Sequence, residues 1–336
     1  MNTRLELTLV FVLSMVCMPV HAGDNKNCGL KQLASLDLQK LPGRVLVPVS
    51  VQGAPVWMVL QTGSAFSLMY DENVRALQLH RMKLPLAPGV SVGQKGEVSQ
   101  VAIPDDLQIG GMHYPKVSFA IVSRQGYYSP PSFDQRPIIG ALGMDVLSTA
   151  DFELDIAHGK LNLFSHDHCS GRVVYWSGIA TSLPLKRGDY GEFYFPIKLD
   201  GKALEAELSS ASENSALRAD VAHRFYGFDE HSADNRTLTS ATGGSHAYRF
   251  MNVATPAFEV RNAVITLDPQ INPHCVIAHH GSDGVGYDGC SGPHPLTLGI
   301  SVLSKLRIYV ATKERVLYLS PADAAVPDAQ QGADKQ

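Results

Sequence analysis

The chain has 336 residues, 28 Lys and Arg against 32 Asp and Glu, a formal net charge of −4, and 45% apolar residues. That length suits one large or two medium domains, and the apolar fraction is ample for a buried core. The near-neutral balance, with no Lys/Arg cluster or basic stripe, argues against a nucleic-acid surface.

Residues 1–22 read as an export signal. Arg4 gives a positive start, Leu7–Val16 is a short apolar run, and Val20-His21-Ala22 offers small residues for cleavage. The run is too short to span a bilayer comfortably, and an uncleaved anchor is the alternative. Cys17 is expected to leave with the signal, and no later segment is apolar enough to cross a membrane. The mature chain is therefore expected to be exported, periplasmic or secreted, with no membrane span.

Residues 23–43 form an N-terminal segment, of which Cys28–Gly43 precedes the first repeat and is expected to pack along its outside. Residues 44–164 form that repeat. Short runs of Val, Ile, Thr, Tyr and Phe between Gly, Pro, Asn and Asp favour strands. Asp71–Leu79 reads as a short helix with Asp71 as a candidate cap. Ser91–Val98 reads as a hairpin whose Gly93 and Gly96 supply the turn. Leu107–Gly111 and Val117–Ile121 read as the next strand pair. Residues 165–190 read as a linker with an inter-repeat strand at Val173–Trp176. Residues 191–320 form the second repeat, with Ala241–Tyr248 as its own hairpin around Gly243 and Gly244, and a strand at Val260–Leu267. Residues 321–336 are small and polar and read as a disordered tail.

The second repeat copies the first. Val47–Met69 (VPVSVQGAPVWMVLQTGSAFSLM) returns without a gap at Phe195–Leu217 (FPIKLDGKALEAELSSASENSAL). Each copy is a strand, a Gly turn, a second strand and a short polar loop. The loops are Gln61-Thr62-Gly63-Ser64 and Ser209-Ser210-Ala211-Ser212. A second pair follows in the same order: Leu142–Ser148 (LGMDVLS) returns as Leu298–Ser304 (LGISVLS). Two ungapped pairs in one order mark an internal duplication.

From Arg44 to Ser320 this layout resembles the bacterial exported members of the retropepsin/pepsin superfamily, with two fused retropepsin-like repeats. The resemblance implies a mostly β, bilobal acid-protease fold of two homologous barrel-like lobes. It also implies that the two loops meet at the lobe junction, with hairpin flaps at Gly93/Gly96 and Gly243/Gly244 over the cleft. In that family each loop reads Asp-Thr/Ser-Gly. The two carboxyls share one proton and activate a water. Here Gln61 and Ser209 stand at the Asp positions, and neither can titrate in the needed range. No catalytic residue is assigned. Asp145 belongs to the element beside the first loop, but that position is not catalytic in the family, and its counterpart here is Ser301. Thr62 and Ser210 keep the hydroxyls that cross-brace the loops in the family. Ala211 stands where the family has Gly, at a turn that Ala is expected to resist.

After signal removal Cys28, Cys169, Cys275 and Cys290 remain, an even number that suggests disulfides in an exported chain. Three pairings are possible. Cys275–Cys290 would close a Gly-rich loop locally, leaving Cys28–Cys169, and free thiols are the alternative. The histidines and cysteines between His274 and His294 fit no zinc spacing, and His166–Cys169 reads as solvated linker. No metal and no cofactor are expected. There is no phosphate loop, dinucleotide fingerprint or Gly-x-Ser-x-Gly elbow.

The function expected is that of an inactive peptidase homologue whose cleft (Gln61, Thr62, Gly63, Ser64, Gly93, Gly96, Ser209, Ser210, Ala211, Ser212, Gly243, Gly244) binds an extended peptide or a partner protein. The alternatives are a weakly active aspartyl-type endopeptidase and a structural or assembly protein of the envelope. The sequence leaves the oligomeric state open.

Overall fold

The computed structural model describes residues 29–83, 90–91, 97–98, 100–125, 130–176, 180–188, 191–228, 237–239, 246–256, 258–268, 274–279, 286–291 and 295–323. Both repeats open with the same hairpin. Arg44–Val51 pairs with Ala54–Leu60, and Phe193–Leu199 pairs with Lys202–Leu208, each antiparallel. Left-handed backbone at Gln52 and Gly53 (φ 52° and 75°), and at Asp200 and Gly201 (φ 45° and 78°), makes the two turns alike. Two successive positive-φ residues suit a tight hairpin because their twist matches that of the strands. In the second copy Phe193, Phe195, Ile197 and Leu199 alternate with more exposed residues, as do Leu204, Ala206 and Leu208. That period of two places one face of the hairpin in the core.

Three sheets organise the molecule. An eleven-stranded sheet belongs to the first repeat and an eight-stranded sheet to the second. A six-stranded sheet joins them, in the order Gln32–Asp37, Lys160–Phe164, Asp151–Asp155, Leu306–Ala311, Val316–Pro321, Thr181–Pro184. At its centre Phe152 faces Val310, Glu153 faces Tyr309, and Leu154 faces Ile308. In the duplicated alignment Glu153 and Tyr309 are equivalent residues, so the approximate two-fold axis passes between them. The result is a mostly β fold built from two related halves. Among the described residues no helix is long and apolar enough to cross a membrane.

Several elements differ from the sequence reading. The helix is Asp71–Ala76, with Tyr70 at its cap position and no side-chain cap. Asp71 is its first residue and pairs with Arg75 at 2.5 Å and Arg81 at 2.7 Å. An acid in the first turn is favourable there without capping. The segment before the first repeat does not simply lie outside: Gln32–Asp37 is an edge strand of the joining sheet, and Gln39–Leu41 pairs with Arg44–Leu46. Leu107–Ile109 and Phe119–Val122 are strands that do not pair with each other. The first joins Arg44–Val51, and the second joins Leu68–Tyr70 and Gln100–Ile103. The inter-repeat strand is Thr181–Pro184, not Val173–Trp176. Val173 and Trp176 are buried all the same, packed with Phe164, Tyr309 and Tyr318. The short hairpin does form, with Val90 opposite Val98 and Ser91 opposite Glu97. Thr237–Thr239 pairs with His246–Tyr248 in the second repeat. Gly93, Gly96, Gly243 and Gly244 lie outside the described residues, as do the signal, Cys28 and residues 324–336 of the tail.

Candidate functional site

The two loops meet. Each follows a strand that ends in a buried Leu, Leu60 or Leu208, and each is held from below by the hydrophobic-Gly element of its own repeat. Gln61 N donates to Leu142 O at 2.9 Å, and Ser209 N donates to Leu298 O at 2.9 Å. Met144 N donates to Ser64 O and Ile300 N to Ser212 O, both at 2.8 Å. The amides of Asp145 and Ser301 reach Ala65 O and Glu213 O at 3.1 and 3.0 Å. Gly143 N and Gly299 N donate to the hydroxyls of Ser67 and Ser215 at 2.9 and 3.1 Å. These two glycines are required by proximity. A Cβ on Gly143 would lie 2.6 Å from the Phe66 backbone, and one on Gly299 2.4 Å from Asn214 O.

Across the junction the bracing is reciprocal. Thr62 Oγ1 donates to Leu208 O at 2.8 Å, and Ser210 Oγ donates to Leu60 O at 2.7 Å. Each hydroxyl then accepts the backbone amide of its counterpart at 3.2 Å. Thr62 and Ser210 are both buried, at 5% and 0% exposure. Their hydroxyls therefore satisfy backbone groups that water cannot reach, and leaving such groups unpaired is costly. Both residues serve as the cross-brace that the resemblance implied. Gln61 and Ser209 stand above them, partly exposed, at the tips. No ionisable side chain occupies either tip.

Asp145 is a positioning group. Its carboxylate accepts the Ser67 hydroxyl at 2.6 Å and the Ser67 and Val146 amides at 3.0 and 2.9 Å. Burial raises its pKa above the ordinary Asp value, and the Ser67 bonds oppose that rise. The expectation that Ala211 resists its place is wrong. Neither Ala211 nor Gly63 has a left-handed backbone, and Ala211 packs against the apolar cluster of Leu46, Val59 and Ala141.

Sequence reasoning missed Glu207. It lies two residues before Ser209, on the strand Lys202–Leu208, opposite Thr297 in parallel register. Thr297 Oγ1 donates to its Oε1 at 2.9 Å. That same oxygen lies 3.6 Å from the point where a Cβ on Gly63 would stand, and Ser209 Cβ lies 3.6 Å from that point too. The carboxyl thus reaches across from the second lobe to the first loop. Burial, with the charges of Glu192 and Asp268, raises its pKa to about 7, against the pull of Thr297. Part of the residue still meets solvent. The signal was present in the duplication, which sets Glu207 against Val59.

The His-rich linker is not solvated. His168 is buried, with Nε2 2.5 Å from Asp151 Oδ2 and Nδ1 3.2 Å from Glu314 Oε1. Asp151 is fully buried and also takes the Thr312 amide and hydroxyl at 2.8 and 2.9 Å. A carboxylate at the core of the joining sheet needs such partners, and the linker supplies one. Among the described residues no group of His, Cys, Asp and Glu is arranged to hold a metal ion. Cys169 is disulfide-bonded. Cys275 and Cys290 stand directly opposite each other on antiparallel strands.

Comparison with known proteins gives the following similarities. The aspartyl protease family model matches residues 47–146, which hold the first loop and Leu142–Val146. No curated protein matches the chain. Among solved structures, basic 7S globulin from soybean is similar at 10% identity and a TM-score of 0.48, over 88% of this chain and 96% of that one. An aspartic proteinase from Irpex lacteus is similar at 12% identity and a TM-score of 0.47, over 87% and 98%. Residues 47–146 of the chain are thus similar to the aspartyl protease family.

Proposed function

We propose that this protein is an exported aspartic-protease homologue without proteolytic activity, and that it binds an extended peptide or a partner protein's extended segment in the cleft over the loop pair. The observation that carries this is the contrast at the junction. The cross-brace of Thr62 and Ser210 is complete, while the tips hold an amide and a hydroxyl, Gln61 and Ser209. The mechanism of an aspartic protease needs one neutral and one ionised carboxyl at those tips, and general acid–base help is worth roughly 10²–10⁴-fold in rate. Binding needs neither. An extended segment gains main-chain hydrogen bonds and places alternate side chains in pockets.

The test is direct. The purified mature chain, incubated with denatured casein and a mixed peptide library between roughly pH 3 and pH 8, a span that covers carboxyl titration, should leave both uncut. The library should nonetheless yield peptides retained by the chain. Cleavage that disappears in Gln61→Ala would replace this reading with that of an active endopeptidase.

A further inference from the structure

The places flanking the loop pair should be twins, since the duplication relates them. Val59 corresponds to Glu207, Ala141 to Thr297, and Gly63 to Ala211. On one side Val59 and Ala141 are buried, with Ala211 of the opposite loop packed on their cluster. On the other side the three corresponding positions hold Glu207, Thr297 and Gly63. There Glu207 Oε1 accepts the Thr297 hydroxyl at 2.9 Å and faces the backbone of Gly63. One twin is a closed apolar contact, and the other is a carboxyl at a partly exposed place. The fold does not need that carboxyl, because its own first half builds the same strand with Val.

The surroundings of Glu207 call for a cation. Tyr194 stands opposite it on Phe193–Leu199, and Thr297 stands opposite it on Leu296–Leu298. The charges that act on it are those of Glu192 and Asp268, both negative. Among the described residues no Lys, Arg or His forms an ion pair with it. A basic side chain would relieve the repulsion and gain charge-assisted hydrogen bonds, stronger than neutral ones.

On the peptide-binding reading above, we propose that Glu207 is the specificity-determining residue of the cleft and receives a Lys or Arg side chain of the bound peptide, next to the point where the peptide crosses the loop tips. Glu207 accepts the cation, Thr297 fixes the carboxylate, and the absence of a side chain at Gly63 leaves the approach open. Successive side chains of an extended peptide point to opposite faces, so one basic residue suffices.

The experiment uses the full mature chain and an array of fluorescein-labelled octapeptides. In each, one central position is Lys, Arg, norleucine or Glu, with Leu before or after it in an Ala/Val host. Affinity is read by anisotropy at pH 8. The wild-type chain should favour Lys or Arg over norleucine by about tenfold, the scale of one charge-assisted contact. Glu207→Gln, which keeps an acceptor for Thr297, should shrink that ratio to near one. Glu207→Val, which copies the first lobe, should reverse it. Circular dichroism confirms that each variant is folded. Should the wild type bind Lys, norleucine and Glu peptides alike, the Glu207 assignment is overturned while the cleft reading stands. Should a preference for Lys survive in both variants, another group makes it, and the assignment is again overturned. Should no peptide bind the wild type, both fall together.

Discussion

Thr62 and Ser210 have almost no freedom to change. Each satisfies one buried carbonyl and one buried amide of the opposite lobe. Thr62→Val leaves Leu208 O and Ser210 N without partners, at about 1–3 kcal/mol for each buried group left unpaired. Thr62→Ser keeps both bonds and should cost far less. Urea midpoints of the two variants check this, and equal midpoints would mean that the brace contributes nothing. The double variant Thr62→Val with Ser210→Ala should cost less than the two single costs combined, because the residues share one network. Glu207 gives a pH signature. Its folded pKa of about 7 lies above the ordinary Glu value of 4.5. The folded state therefore holds its proton more tightly than the unfolded state. That contribution to stability is present in full below the unfolded value and is lost as pH rises through about 7. Glu207→Gln should flatten the decline of stability between about pH 4.5 and 7, measured as thermal midpoints across that range. An unchanged slope would place the titration elsewhere. At this scale the sequence revealed the braces, because an ungapped repeat aligns Thr62 with Ser210. Glu207 was not legible, because a carboxylate on a strand reads as a solvent-facing residue. Ala211 was judged by its residue type, when its backbone decides the matter.

Among the elements, the joining sheet carries the heaviest polar load. Glu153 is fully buried at the two-fold axis and is bonded by Arg307, Tyr175 and Asn162. Glu153→Ala leaves the Arg307 guanidinium buried without its counter-charge, at about 3–5 kcal/mol for a broken buried pair. Glu153→Gln keeps the shape and part of the bonding and should fall between. Denaturation midpoints order the three proteins, and a neutral Glu153→Ala would show that the lobes do not depend on this cluster. The hairpin Gly286–Ser291 with His274–His279 makes a separate prediction. Directly opposed residues on antiparallel strands have Cα atoms about 4.5–5.5 Å apart, within the span a disulfide bridges. Cys275–Cys290 should therefore form on export, and closing a loop of about fifteen residues is worth about 3 kcal/mol on the chain-entropy model. Non-reducing peptide mapping decides it, with free thiols at both positions as the refuting result. The two opening hairpins were legible from the strand, Gly turn and strand order that both repeats share. The linker strand was not. Val173–Trp176 has a strand's composition, yet it is buried as an aromatic plug, while Thr181–Pro184 wins the sheet edge by pairing with Val316–Leu319. Pairing of that kind is a tertiary outcome, and local propensity does not report it.

For the whole molecule, the two-lobed plan was legible because two ungapped sequence pairs recur in the same order. Two contacts fix the axis: Glu153 facing Tyr309 in the joining sheet, and Thr62 facing Ser210 at the loops. Neither contact involves the tips. The proposed function rests on this: the two loops face each other in a complete cross-brace, and their tips hold Gln61 and Ser209 instead of carboxyls. Titration of a pepstatin-type inhibitor at acid pH into the wild-type chain, the double variant Gln61→Asp with Ser209→Asp, and the double variant with Ala211→Gly added, tests it most directly. Two carboxyls restored at the braced tips would share a proton and hold the inhibitor's central hydroxyl. The wild type should bind weakly or not at all. The double variant should gain at least about tenfold in affinity, a modest 1.4 kcal/mol. Adding Ala211→Gly should bring no further gain, since Ala211 already has an ordinary backbone. Three folded proteins with equal inhibitor affinity would contradict the account, because on the proposed reading the facing loops cannot receive both carboxyls without effect.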